Sequence, residues 1–419
     1  MTDFSGFYKL PLNERQKRIK EYAKLSDEEL NLLSNTGSLK PEMADRMIEN
    51  VIGAIHLPLG VATNFKINGK EYVIPMAVEE PSIIAGACKA AKLTLPKGFK
   101  AEADEPIMIG QVQIVDVPDI ARAKKNLETN KQEIMKIAQE YMKSHAKYWA
   151  GVLDFKVRSL VSDKHTMLVV EFSNNVSDAM GANMVNTTLE GIAPTLATLT
   201  EGKIRLRILT NLAVKRIARA SAIWKKDVVG VDIIAGVLDA YEFANSDIFR
   251  CATHNKGIMN GIDAVLVATG NDWRAVEAGA HAFASMGEYK PLTRFEKTEK
   301  GDLLGTIELP LAVATVGGAV NSIPCAKIAL KIMNVKTSQE LAMVCACVGL
   351  ANNFAALSAL ATEGIQAGHM KLHARNIAVI AGAETPEEID FVAEALAEKK
   401  DFSSDYAKKV LAKIRAEKV

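Results

Sequence analysis

Ile107–Val117 reads IMIGQVQIVDV, and Lys156–Asn175 reads KVRSLVSDKHTMLVVEFSNN. Both are β-rich, with the apolar alternation of strands that bury one face. Helical stretches, Asp119–His145 and Ala179–Thr200, fall between these segments and after them, and KIRLRILTNLAV (Lys203–Val214) reads as a further strand. The order β-α-β-β-α-β is that of a split β-α-β, ferredoxin-like unit. The fold class expected is therefore α+β. A small unit over residues 107–211 is inserted into a large α/β domain formed by 1–106 and 212–367, and 368–419 follow as a C-terminal segment.

Outward from that unit, the opening residues read as helices. Asn13-Glu14-Arg15 begins one, Ser26-Asp27-Glu28-Glu29 is a capping-type start, and Lys40-Pro41-Glu42 opens a third. Alternating apolar residues around Asn68-Gly69 predict a hairpin, and a helix is expected over Pro81–Lys92. AVLVATG (Ala264–Gly270) reads as an apolar strand. Leu341–Thr362 has no charged residue, yet Asn352, Asn353 and Ser358 interrupt it and no aromatic or basic belts flank it. A buried helix is expected there rather than a membrane span. From Thr385 the chain reads as two charged helices, either a lid over a site or a solvated cap.

Among 419 residues, Lys and Arg number 51 against 50 for Asp and Glu, a balance that argues against nucleic-acid binding. Hydrophobic residues at 48% and charged residues at 24% argue against disorder as the main state. Five cysteines without a CxxC pair do not form a disulfide framework, and no apolar leader opens the chain. A cytoplasmic protein with no membrane partner is expected.

The usual signatures of nucleotide and metal chemistry are missing. Neither GxGxxG nor GxxxxGK[ST] is present. His369 and His373 stand at i, i+4, but no third ligand is apparent, so no metal is expected. Four regions instead place ionisable groups in apolar or glycine-rich surroundings: Glu79-Glu80-Pro81-Ser82; Arg250, His254, Asn255 and Lys256; Asp272; and His369. Any one of these is compatible with a purely structural role. Carboxylates beside a lysine in a buried site would have coupled pKa values suited to proton transfer. Physics alone leaves the reaction unnamed.

ENVIG (Glu49–Gly53), EEPS (Glu79–Ser82), DAMGAN (Asp178–Asn183), THNKGIMNGID (Thr253–Asp263), ATGNDWRAVEAGAHA (Ala268–Ala282) and TEGIQAGHMKLHARNIA (Thr362–Ala378) together resemble class II 3-hydroxy-3-methylglutaryl-coenzyme A (HMG-CoA) reductases, the soluble bacterial and archaeal type. The resemblance implies a large domain that binds the CoA ester, a small domain that binds the nicotinamide cofactor without a Rossmann fingerprint, and a mobile C-terminal flap. It implies the reduction of HMG-CoA to mevalonate and CoA by two hydride transfers.

Carried over motif by motif, the catalytic set is Glu80, Lys256, Asp272 and His369. Lys256 would stabilise the oxyanion, and Asp272 would hold Lys256. Glu80 would donate a proton at the aldehyde stage, which requires a pKa raised toward neutrality. His369 would protonate the departing thiolate. Arg250 would pair with the substrate carboxylate, with Ser82 and Asn260 as further substrate contacts. Asp178, Met180, Gly181 and Asn183 would form the cofactor loop, with pyrophosphate at a helix start; a plain helix start explains Asp178 and Gly181 equally well. Asn211 would be another cofactor contact. The ENVIG segment implies a homodimer, or an assembly of dimers, with active sites where subunits meet.

Two positions depart from the family pattern. Tyr8 stands where relatives carry a basic residue toward CoA, and Lys9 could substitute. Met142 falls near an acidic position that accepts ribose hydroxyls in NAD-using members, while Lys143 and His145 could attract a 2′-phosphate. NADPH is therefore favoured, with NADH the alternative. The same site could run oxidatively with NAD to degrade mevalonate. From a different class, an acyl-CoA hydrolase or lyase could use the same side chains without redox chemistry, and a non-catalytic CoA-binding protein is a further reading.

Overall fold

The computed structural model describes residues 4, 6–7, 10, 12–34, 37, 39, 41–44, 46–49, 55–143, 151–362 and 374–417. Among the described residues, ten strands form two sheets: β1 Leu59–Ile67, β2 Lys70–Ala77, β3 Phe99–Ala103, β4 Ile107–Val115, β5 Gly151–Val161, β6 Thr166–Asn175, β7 Lys203–Leu209, β8 Ile217–Trp224, β9 Thr293–Lys297 and β10 Leu303–Pro310. The larger sheet has the order β2-β1-β3-β8-β10-β9, and the smaller β5-β6-β4-β7.

Local chemistry accounts for several elements. Asn68 and Gly69 both take positive φ (50° and 86°), which makes the two-residue turn of the β1–β2 hairpin twist with its strands. Ser26 and Glu29 form a reciprocal capping box: the Glu29 carboxylate accepts the Ser26 N–H at 2.8 Å, and the Ser26 hydroxyl accepts the Glu29 N–H at 3.2 Å.

The chain leaves the larger sheet after β3 and re-enters it at β8. These strands are antiparallel neighbours, with Ala103 opposite Ala218. Asp104 fastens the crossing, accepting a hydrogen bond from Arg219 at 2.8 Å. Between exit and return the order β4-α-β5-β6-α-β7 builds the smaller sheet, all antiparallel, with Ile120–Thr129 and Lys131–Lys143 as its first helical connection and Ala182–Thr200 as its second. Its core includes Met108, Val112, Phe172, Leu189 and Leu196.

The larger sheet is covered by the helices Ile83–Lys92, Ile248–Ala268 and Ser338–Leu360, which share its core. Trp224 stacks on Phe354 with centroids 4.1 Å apart and donates its indole N–H to Ala90 O at 3.0 Å. Among the described residues, Ser338–Leu360 alone is long and apolar enough to cross a bilayer, and 78% of its apolar window is buried inside the chain. Asn353 is satisfied there by the Thr293 hydroxyl at 2.8 Å.

One expected strand is a helix end. AVLVATG belongs to the Ile248–Ala268 helix and the turn that closes it. From Ile258 onward this helix is buried on nearly every side, so its apolar residues show no period that separates helix from strand. At the C-terminus, the helices Pro386–Lys399 and Ser404–Glu417 pack with residues 374–380 around Ala374, Val392, Leu396, Ala407 and Leu411. They have a core of their own, tied by Arg415 to both oxygens of Glu388 (2.8 and 2.9 Å) and to Gly382 O (2.9 Å). That arginine holds the Glu388 carboxyl down at about 2.

Candidate active site

Glu79-Glu80-Pro81-Ser82 links the buried strand β2 to the Ile83–Lys92 helix. Ser82 takes a left-handed conformation (φ 81°) at the helix start, and its buried hydroxyl has no hydrogen-bond partner among the described residues. Lys256 lies on the middle turns of the Ile248–Ala268 helix. Its Nζ stands 3.4 Å from Glu80 Oε2, with both side chains partly open to solvent. Asn260 follows one turn later on the same face. Arg250 is on that helix too, but about 120° around from Lys256 at 100° per residue. It is half-buried, and desolvation lowers its pKa.

A second constellation lies elsewhere. A cleft of about 1130 Å³ is lined by Asp178, Met180, Gly181 and Asn183 on one side, and by Asn271, Asp272 and Gly317-Gly318 on the other. Gly181 has φ 102° and precedes the Ala182–Thr200 helix; a Cβ there would stand 2.6 Å from Val176. The Asp178 carboxylate accepts the Ser338 N–H at 2.7 Å, at the start of the long buried helix. Asp272 caps the Trp273–Ala284 helix through the Ala275 N–H (3.2 Å) and pairs with Arg274 at 3.3 Å.

The expected contact between Asp272 and Lys256 is not made within the chain. Twelve residues of helix separate Lys256 from Ala268, a rise of about 18 Å, and Asp272 lies beyond that end. Asn211 also stands apart. It is exposed, does not line the cleft, and its carbonyl lies where a Cβ on Gly279 would come within 2.4 Å. Met142 is corrected as well: its side chain is fully buried in the core under the smaller sheet, where no ribose can reach it. His254 and Asn255 are structural. Thr293 donates its proton to Asn353, so it accepts from His254 Nε2 at 2.7 Å, and burial pulls the imidazole down to about 3. Asn255 accepts the Leu292 N–H and donates to Lys290 O, both at 3.0 Å.

His369, His373, His145, Tyr8, Lys9, Asn50–Gly53 and the Lys143 side chain lie outside the described residues. Two features of the cleft escaped the sequence reading. Gly317-Gly318, both at positive φ, forms part of the wall opposite DAMGAN, and the glycine pair was the available signal. Asn271 clamps Ala314 through both its N–H (2.7 Å) and its carbonyl (3.1 Å), for which no local signal exists.

The chain is similar to known proteins along nearly its whole length. The family model described as hydroxymethylglutaryl-coenzyme A reductase matches residues 11–374. The chain belongs to this family. The 3-hydroxy-3-methylglutaryl-coenzyme A reductase of Archaeoglobus fulgidus is 51% identical over 413 residues, covering 98% of this chain and 94% of that one. A probable reductase of the same name from Borreliella burgdorferi is 33% identical, covering 100% of this chain and 98% of its own. The solved reductase of Streptococcus pneumoniae superposes with TM-score 0.83 at 37% identity, covering 98% of this chain and 100% of that one. The class II reductase of that organism, solved bound to NADPH in open conformations, gives TM-score 0.82 at 37% identity over 86% of this chain and 100% of its own. The family and the α+β class expected from the motifs are both borne out.

Proposed function

We propose that this chain reduces HMG-CoA to mevalonate and free CoA, using NADPH. The observation that carries this reading is the approach of Lys256 to Glu80 at 3.4 Å, with the buried hydroxyl of nearby Ser82 left without a hydrogen-bond partner among the described residues. A cation and a proton donor then flank the place where a carbonyl oxygen gains charge and takes up a proton.

Two NADPH molecules, bound in succession, would each supply one hydride. Two protons must accompany them, one to the alcohol oxygen and one to the CoA sulfur. Lys256 stabilises oxyanion charge at both stages, and Glu80 delivers the proton to oxygen. His369 is assigned to the thiolate by its motif. Ser82 and Asn260 orient the substrate, and Arg250 takes its carboxylate.

The cleft residues suit a dinucleotide. Gly181 brings backbone to the cleft surface where a side chain would clash with Val176, and Gly317 and Gly318 have open space where a Cβ would stand. Asp178, Met180, Gly181 and Asn183 are assigned to the cofactor loop within a cofactor-binding domain at 107–211. Residues 1–106 and 212–367 are assigned to the CoA ester. The segment 368–419 is assigned as a flap, a reading favoured by its separate core. NADPH is favoured over NADH by the NADPH-bound class II relative, with Lys143 and His145 as candidates for the 2′-phosphate.

The separation of Lys256 from Asp272 supports a homodimer, and the bacterial and archaeal relatives favour a soluble enzyme of the cytoplasm. In the dimer, the Glu80–Lys256 end of one copy faces the Asp272 cleft of the other, so that Asp272 reaches Lys256 across the interface. The testing experiment follows absorbance at the nicotinamide band with HMG-CoA, comparing NADPH with NADH, while CoA thiol is measured in parallel. Thiol release without a change in absorbance would favour the hydrolase reading.

A further inference from the structure

Arg216 lies just before β8, and only 5% of it is exposed. Its Nη1 donates to Ala179 O at 3.1 Å and to Met180 O at 3.3 Å, and its Nη2 donates to Val313 O. No carboxylate pairs with it among the described residues. Asp178, whose charge acts on the guanidinium, spends an oxygen on the Ser338 N–H. Burial lowers the guanidinium pKa to about 10, which leaves it charged at neutral pH.

A buried cation whose hydrogen bonds, among the described residues, all go to neutral carbonyls is costly to keep. Its geometry has a consequence for the cleft. In a planar trans peptide the carbonyl and the following N–H point in opposite directions. With the Ala179 and Met180 carbonyls turned onto Arg216, the N–H groups of Met180 and Gly181 are turned away from it. Both residues line the cleft and Arg216 does not. Among the described residues neither N–H has a hydrogen-bond partner. The third contact, to Val313, ties the same guanidinium to the segment that Asn271 clamps at Ala314, which leads into Gly317-Gly318 on the opposite wall.

We propose that Arg216 is a positioning residue for the cofactor: it holds both walls of the cleft in register, aims the Met180 and Gly181 N–H groups at the pyrophosphate, and places a positive charge behind them. This rests on the assignment of the cleft to the dinucleotide. An ammonium keeps the charge and three donors, but they radiate from one nitrogen and lack the planar fork by which Nη1 and Nη2 reach carbonyls on two segments, so lysine is expected to rescue only part of the function.

The test is equilibrium binding of NADPH by fluorescence titration, together with steady-state kinetics, on R216K, R216M and G181V. R216M should raise the NADPH dissociation constant at least tenfold and R216K by a smaller factor, with the KM for HMG-CoA within threefold of wild type in both. Equal loss of affinity for NADPH and HMG-CoA would mean general structural damage and would overturn the proposal. So would normal NADPH binding by R216M alongside weakened binding by G181V. Normal binding by G181V would instead remove the cofactor assignment of the cleft itself. Should R216M fail to fold, R216K decides: unchanged NADPH affinity would overturn the proposal, and weakened affinity with an intact KM for HMG-CoA would support it.

Discussion

Lys256 and Glu80 meet at 3.4 Å with 62% and 34% of their side chains exposed. A pair so open to water contributes less than about 1 kcal/mol to stability, so its value lies in chemistry. Lys256→Ala should leave the melting temperature nearly unchanged while lowering kcat at least ~100-fold, the scale of losing one oxyanion donor. Activity within tenfold of wild type would remove Lys256 from that role. Glu80→Gln should fold normally and lose about two orders of magnitude or more in the reduction of free mevaldehyde; a normal rate would place the acid elsewhere. At this scale the sequence was legible for residue type and blind to partners. His254 and Lys256 stand two apart in one motif, yet one is buried against Thr293 and the other faces Glu80. Nothing local in the sequence separates them.

The Ile248–Ala268 helix carries Lys256 at its middle and Asp263 a further two turns on. Asp263 hydrogen-bonds Glu277 of the Trp273–Ala284 helix, Glu277 meets His281 Nε2 at 2.9 Å, and His281 Nδ1 meets the Tyr289 hydroxyl at 2.8 Å. Burial first, and the charge of Asp263 second, raise the thiol of Cys345 on the Ser338–Leu360 helix. Burial first and Glu277 second push the Asp263 carboxyl up to about 9. The folded chain therefore keeps a proton that the unfolded chain releases near 3.8, and this contribution to stability falls as pH rises from about 4 to 9. His281 is raised by Glu277, so its contribution is complete below 6.5 and is lost as pH climbs through the folded value. Glu277 is lowered, chiefly by His281, so its contribution is present above 4.5 and fades only on acidification. Asp263→Asn should therefore flatten the decline in melting temperature between pH 6 and 9; slopes parallel to wild type would refute the shared proton. Elements were legible where one face is buried. Strand β4 alternates visibly, and the Asn68-Gly69 turn announces itself. The Ala264–Ala268 run was misread because burial on all sides erases the period.

At the scale of the whole molecule, a stretch of helix about 18 Å long separates Lys256 from the end that precedes Asp272, and in the proposed homodimer each complete site takes Lys256 from one chain and Asp272 from the other. Coexpressing Lys256→Ala with Asp272→Asn, each inactive alone, should restore up to about a quarter of wild-type activity. Random pairing makes half the dimers mixed, with one intact site in two. Mixed dimers without recovery would contradict the shared site. The C-terminal core begins at Ala374, so truncation at Thr385 would strand Ala374, Ile377, Ala378 and Ala383 without their partners, and the cleaner deletion runs from Ala374 onward. That chain keeps His369 and should lose rate with the thioester while sparing mevaldehyde, which releases no thiol; equal losses would remove the leaving-group role. The inserted sheet was readable because each strand carries its own alternation, whereas the meeting of two site halves leaves no pattern in one chain. The most direct test of the central claim counts NADPH oxidised against CoA thiol released during complete conversion of HMG-CoA. The account predicts two NADPH for each thiol, with mevalonate as product, and thiol release without NADPH oxidation would contradict it.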